Sequence, residues 1–282
     1  MKKLIAWDTS SKKGVITTFQ WHEGANERPE LVSEWTLDLD AGHSERLLWG
    51  IHQVLEGCRW KVEEIDVFGV GLGPGSFTGL RIGVTTARTL AQIMNRPLVG
   101  VSSLAALARP AAQWAQSFID DSTEAALIVA STDACKGELF SLYGWAPSVA
   151  DCVVRAEGDH PGLWKRGVEE LALTPSSLME QIEKKLEQSK KKMHYIRVGN
   201  GRSRYLDYWK KLPAEQELSY PIEYADRILA HSLGTLVWEG YQAGIERNAL
   251  QWNPQYLRAS NAELKKLAGE LPNLKLRTKI QE

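Results

Sequence analysis

The chain has 282 residues, 43% of them hydrophobic and 24% charged, which suits one large globular domain or two modest ones with a sizeable core. A formal net charge of −1 gives no general attraction to nucleic acid or to an anionic membrane, so any nucleic-acid contact needs a local basic patch or a partner. Three cysteines, Cys58, Cys135 and Cys152, form no CxxC pair, which argues against a disulfide framework or a zinc cage and for a reducing compartment.

The chain reaches Asp8 too early for a signal peptide, and it has no run of 18 apolar residues. A cytoplasmic protein without a membrane span is expected. The eleven tryptophans are scattered and read as packing residues.

Residues 3–9 form a short apolar run ending in Asp8-Thr9-Ser10, the pattern of a buried strand. Residues 14–21 alternate and are rich in Val, Ile, Thr and Phe, and residues 30–37 continue as a third strand. The link through Ser11, Lys12 and Lys13 is short enough for a hairpin. From His43 the period changes. Leu47, Leu48, Ile51, Val54 and Leu55 recur at helical spacing, and Gly57 stands where a C-terminal glycine belongs. Residues 65–72 return to strand. A glycine-rich loop follows, Thr78 is expected to cap the next helix, and Leu80, Val84, Ala87, Ala91 and Met94 make its stripe. Residues 98–101 are a further strand.

A second half starts after a helix near residues 104–108 and a polar stretch at 113–123. Residues 126–132 read as a strand reaching Asp133, residues 137–143 as its hairpin partner and residues 151–155 as a third strand. A helix over 176–188, a strand over 194–198 ending at Gly199-Asn200-Gly201 and a helix over 225–241 follow. A meander of strands followed by helical crossovers is the half-unit of actin-like and RNase H-like folds. The second half loosely echoes the first, with Asp8 and Asp133 each at a strand end. The expected fold is α/β, two-lobed and actin-like (ASKHA), each lobe a mixed sheet with helices.

The richest motif is Gly71-Leu72-Gly73-Pro74-Gly75-Ser76-Phe77-Thr78-Gly79-Leu80-Arg81-Ile82-Gly83. Its glycines permit tight turning and close backbone approach, and amides at the following helix start suit an anion. The loop has no GK[ST], misses GxGxxG and does not flank Ser76 as a nucleophile elbow would. Local chemistry favours a turn that lets the helix pack closely, with nucleotide contact as the second reading. His43 has Leu47, not a second histidine, one turn on, and His52 lies on another face; a hydrogen-bonding helix start suits it better than a metal site. Asp8 and Asp133 are the candidate phosphate- or metal-handling carboxylates. Lys12 and Lys13 occupy the hairpin where a phosphate cradle wants glycine and hydroxyl groups. The run Lys190–Lys192 reads as a solvated face.

From Gly73 to Gly83, eleven consecutive residues resemble the motif of the TsaB (YeaZ) family, the dimerisation subunit of the bacterial complex that makes threonylcarbamoyladenosine in tRNA. Ile5-Ala6-Trp7-Asp8-Thr9-Ser10 is similar to the family's first strand. His43-Ser44-Glu45-Arg46-Leu47-Leu48 is similar to its first helix, and Asp133-Ala134-Cys135-Lys136-Gly137-Glu138-Leu139-Phe140 to its second hairpin. Gly199-Asn200-Gly201 and Pro254-Gln255-Tyr256-Leu257-Arg258 are similar to later landmarks. Cys135 replaces a common arginine, Asn200 a common acid, and Trp49 the usual proline after the helix leucines. Residues 145–190 match nothing recognisable.

The resemblance implies a non-catalytic subunit that pairs with the catalytic paralogue TsaD. That paralogue has the same fold and a metal-binding histidine pair, which Leu47 breaks here. A TsaE-type ATPase joins the assembly, and tRNA is met only through the complex. No cofactor of its own is implied, ATP or ADP belongs to the complex, and a homodimer is expected when the chain is alone.

The helices at 43–56 and 79–94 carry apolar residues beyond one narrow stripe, the mark of a partner face. His43, Leu47, Leu48, Ile51, Leu55, Leu80, Ile82 and Val84 are the expected interface. Gly73, Pro74, Gly75, Ser76, Phe77, Thr78, Gly79 and Arg81 are the loop with a nucleotide contact in view. Residues 1–108 form the expected first lobe, 109–260 a smaller second lobe and 261–282 a tail. The alternative function is a free-standing actin-like ATPase or sugar kinase.

Overall fold

The computed structural model describes residues 1–24, 28–38, 43–120, 122–150, 154–155, 162–163, 168–245 and 249–257. The first lobe opens with β1 (Lys2–Asp8), β2 (Lys13–Trp21), β3 (Glu30–Asp38) and α1 (His43–Cys58). It continues with β4 (Val67–Gly71), α2 (Phe77–Ile93), β5 (Leu98–Val101) and α3 (Ser103–Gln116). The sheet order is β3-β2-β1-β4-β5; β1, β2 and β3 pair antiparallel, and β4 and β5 run parallel to β1.

The second lobe has β6 (Glu124–Asp133), β7 (Leu139–Trp145), α4 (Ala146–Ala150), a small hairpin of β8 (Val154–Arg155) and β9 (Gly162–Leu163), β10 (Glu169–Leu173), α5 (Pro175–Glu187) and β11 (Lys192–Val198). Its sheet runs β10-β7-β6-β11, with an antiparallel meander and β11 parallel to β6. The two sheets therefore repeat one pattern, with Asp8 and Asp133 closing equivalent strands. This is the two-lobed actin-like architecture expected. The third strand of the second lobe is β10, however, not residues 151–155. Of those, 154–155 belong to β8, and 151–153 lie outside the described residues.

Short helices α6 (Gly201–Arg204), α7 (Leu206–Trp209) and α8 (Ile222–Ala225) lead to α9 (Ala230–Gln242). Helix α9 packs across β1, β2, β4 and β5 of the first sheet. Trp21 meets Tyr241 edge-on at 5.9 Å between ring centroids. Further on, buried Trp252 donates its indole N–H to Leu98 O at 2.7 Å. The expectation that the second lobe takes in all of 109–260 is thus corrected. Residues 230–245 and 249–257 return to the first lobe, because the open face of its sheet needs an apolar cover.

Local chemistry explains the elements. Leu4, Ile5, Ala6 and Trp7 are all fully buried, as a central strand with both faces covered demands. Helix α1 buries Leu47, Ile51, Val54 and Leu55, one stripe at helical spacing. Its end is not the expected Gly57. Arg59 takes the left-handed conformation at φ +57°, Arg59 N–H donates to Glu56 O at 2.9 Å and Trp60 N–H to Leu55 O at 2.9 Å, which closes the last turn. Helix α3 runs past the expected 108 to Gln116 and is buried along most of its length between the second sheet and α9. There Arg109 forms a bidentate pair with Glu239 at 2.7 and 2.6 Å.

Candidate functional site

The strand ends of β1 and β4, the glycine-rich loop and the start of α3 converge. Ser76, not Thr78, caps α2, its hydroxyl accepting from Gly79 N–H at 3.2 Å; its backbone is the one that leaves the helical region, so its side chain can fold back. Ser76 N–H donates to Ser10 O at 2.7 Å, and Thr9 Oγ1 donates to Gly79 O at 2.7 Å. The first turn of α2 therefore lies directly on the β1–β2 hairpin. A Cβ on Gly75 would stand 2.3 Å from Ser10 O, and one on Gly79 2.1 Å from Thr9 O. Close packing accounts for these glycines, and the amides of Gly73, Ser76 and Gly79 are all paired within the chain.

Asp8 is 1% exposed. Its carboxylate accepts from Ser10 N–H at 2.8 Å, from Ser10 Oγ at 2.6 Å and from Ser103 Oγ, and Ser103 Oγ also accepts from Gly73 N–H at 3.0 Å. Burial pushes the Asp8 carboxyl up, against the hydrogen bonds that favour its charge. A group whose folded value is raised contributes most to stability in acid and loses that contribution as pH climbs past the unfolded value. Asp8→Asn, which keeps the shape without the charge, is therefore expected to melt above the wild type near neutral pH, the gap shrinking as the pH falls. Thermal melts across pH check this; a lower melting point at neutral pH would show that the charge is needed there.

Asp133, the second-lobe counterpart, pairs with Arg204 at 2.8 Å and accepts from Tyr205 at 3.2 Å. Asn200 Oδ1 accepts from Asp133 N–H at 2.9 Å, so the residue found in place of a common acid serves as a backbone cap. Both candidate carboxylates are thus held by protein groups. Among the described residues, no three His, Cys, Asp or Glu side chains are grouped to hold a metal ion.

Sequence reasoning missed Glu170 on β10. Ser102 Oγ donates to Glu170 Oε1 at 2.6 Å and Gln255 Nε2 to Glu170 Oε2 at 3.1 Å. The carboxyl is pushed up to about 7 by burial, offset in part by these two hydrogen bonds. An acid within the run Glu169–Leu173 was its only signal.

The expected partner face is divided by the packing. Leu47 is 0% exposed, and Ile51, Leu55, Leu80 and Val84 are also core residues of this chain. These five are corrected: their stripe faces their own sheet, because each helix must first cover its own lobe. Ile82 is partly buried against the core, and the side chain of His43 lies outside the described residues. The outward apolar groups are Leu48 at 54% and Trp49 at 53% exposure, with Phe77 and Ile93 on α2. Trp49 stands edge-on to Trp35 at 5.2 Å. Arg81 lies over the Phe77 ring at 3.8 Å and donates from Nε to Tyr256 Oη at 3.1 Å.

A family model described as TsaD, tRNA N6-adenosine threonylcarbamoyltransferase, matches residues 38–141. The chain is 40% identical over 78 residues to the tRNA threonylcarbamoyladenosine biosynthesis protein TsaB of Bacillus subtilis, spanning 28% of this chain and 34% of that one. Against the TsaB protein of Escherichia coli the identity is 27% over 280 residues, 95% of this chain and 99% of the other. The chain is thus similar to proteins named TsaB, locally at 40% identity and end to end at 27%. Its fold agrees: YeaZ of Pseudomonas aeruginosa superposes with a TM-score of 0.60 at 23% identity, covering 91% of this chain and all of that one. A Pseudomonas aeruginosa protein similar to peptidase YeaZ gives 0.62 at 24%, covering 92% and 100%. In this chain the glycine motif serves the packing of α2 on the first hairpin, and the leucines of α1 split into a core residue, Leu47, and a surface residue, Leu48.

Proposed function

We propose that this chain is a non-catalytic partner subunit in the threonylcarbamoyladenosine modification of tRNA, binding a TsaD-type catalytic subunit through the outer face of α1 and α2. The observation that carries the reading is the end-to-end likeness to the TsaB protein of Escherichia coli. The exposed Leu48, Trp49 and Phe77 on two adjacent helices support the choice of face, since uncovered apolar surface is what an obligate partner buries. A TsaE-type ATPase joins through the catalytic subunit. tRNA, and ATP or ADP, are met in the complex, and the setting is cytoplasmic. Alone, the chain covers this face with a second copy. A free-standing ATPase or sugar kinase would need Asp8 open to a metal nucleotide, whereas Ser10 and Ser103 enclose it.

The test is co-purification with the TsaD-type protein of the same organism, together with quantification of the modified nucleoside in tRNA. Leu48→Glu and Trp49→Glu replace exposed side chains, so each variant should melt within a few degrees of the wild type. In the complex each buries an unpaired charge, costing several kcal/mol, so affinity should fall by roughly a hundredfold or more and the modification with it. If both folded variants bind and support modification normally, the face lies elsewhere. If the wild type neither binds nor supports modification, the reading itself fails.

A further inference from the structure

Glu170 lies on the edge strand of the second sheet, opposite Leu142 of β7. Its hydrogen-bond partners come from outside that sheet. Ser102 is the N-cap of α3, at the end of β5, and its hydroxyl both accepts from Ala105 N–H at 3.2 Å and donates to Glu170. Gln255 belongs to the segment that straps back over the first lobe, where its own N–H donates to Leu72 O at 2.8 Å. Leu72 and Gly73 begin the glycine-rich loop, and Gly73 is tied through Ser103 to Asp8. One carboxyl therefore joins the edge of the second lobe, the first turn of α3 and the root of the glycine-rich loop.

We propose that Glu170 is a proton-operated latch between the lobes: neutral, it holds β10 against Ser102 and the Gln255 strap, and ionised, it favours separation of that seam. The reason is a cost in charge. Glu170 is partly buried, and a carboxylate whose partners among the described residues are two neutral donors keeps much of its desolvation penalty, which opening the seam relieves. Its partners Ser102 and Gln255 carry no charge. The other titratable groups on the elements meeting here include Asp8 on β1, itself raised by burial and reached through Ser103; Arg81 on α2 and Tyr256 on the strap, bonded to each other; Arg88 on α2, which reaches Asn253 of the strap; Arg109 on α3, taken by Glu239; Glu169, the neighbour of Glu170 on β10; and Tyr143 on β7. Burial raises the Glu170 carboxyl and its two hydrogen bonds lower it, with no charged neighbour among the described residues acting beside them.

The sign follows from linkage. With a value of about 7 when closed against 4.5 in water, the closed form binds the proton more tightly. Opening becomes easier as pH rises from about 4.5, and the gain levels off above about 7. Between about pH 5.5 and pH 8 the open fraction should grow roughly 30-fold.

Hydrogen exchange of the full chain, expressed as protection factors for residues 71–80 and 250–256, reads the seam. The wild type should lose more than tenfold in protection between the two pH values, and Glu170→Gln, a neutral isostere, should keep its protection at both. An equal pH response in wild type and variant overturns the latch, as does no response in the wild type. A carboxyl NMR titration of Glu170 in the wild type supplies a second reading that needs no variant: a midpoint near 7 is expected, and a midpoint near 4.5 overturns the proposal.

Discussion

Gly79→Ala is expected to destabilise the protein by about 3 kcal/mol, the upper end of what overpacking costs. The added Cβ would meet Thr9 O at 2.1 Å. That atom is backbone, so relief requires α2 or the β1–β2 hairpin to move as a body. Either movement also stretches the Thr9 hydroxyl bond to Gly79 O and the bond from Ser76 N–H to Ser10 O. For a chain of this size the melting temperature should fall by about 10 °C. Gly57→Ala makes the same chemical change in α1, where a Cβ meets nothing within 4 Å. It should stabilise by about 0.5–1 kcal/mol through backbone entropy and helix propensity. Paired denaturation curves check both signs. If Gly79→Ala were as benign as Gly57→Ala, the contact between loop and hairpin would not be as close as described, and anion binding would become the better explanation of the glycines.

Glu239→Ala is expected to cost about 3–5 kcal/mol. The Arg109 side chain is only 9% exposed, and both ends of its guanidinium fork are taken by Glu239, while its Nε has no partner among the described residues. Truncating the acid strands a buried cation. Replacing both residues, Arg109→Met with Glu239→Leu, should recover most of the loss, because the pair's attraction is largely offset by its own desolvation. A double-mutant cycle by chemical denaturation measures this. A single Glu239→Ala variant within about 0.5 kcal/mol of wild type, the range of an ordinary surface change, would mean that water already reaches the pair. The pair matters to the architecture because it fastens α9, the cover of the first sheet, to α3, which packs on the second.

The strands of the first lobe were legible because their signals are local. Residues 3–9 are a continuous apolar run and residues 14–21 alternate, and both became strands within a residue or two of the expected ends. The stripe of α2 was legible for the same reason. The third strand of the second lobe was not. Strand β10 pairs with β7 across an excursion of more than twenty residues, and no local period reports which segment fills an edge. The interface residues misread in α1 show a related limit. Leu47 and Leu48 are neighbours with the same side chain, and the helical turn of 100° between them puts one in the core and the other in water.

By itself the sequence determined the α/β class, the paired half-units, and the glycine motif with its family resemblance, since periodicity and turn chemistry are properties of adjacent residues. Only the tertiary structure decided which leucines remain outside, that residues 230–245 and 249–257 return to the first lobe, and that Asp8 is enclosed by Ser10 and Ser103. Only there, too, does Glu170 meet Ser102 and Gln255, 68 and 85 residues away. Burial and long-range hydrogen bonding depend on which segments the packed sheets bring together, and desolvation of a carboxyl is a property of that enclosure rather than of its neighbours in the chain.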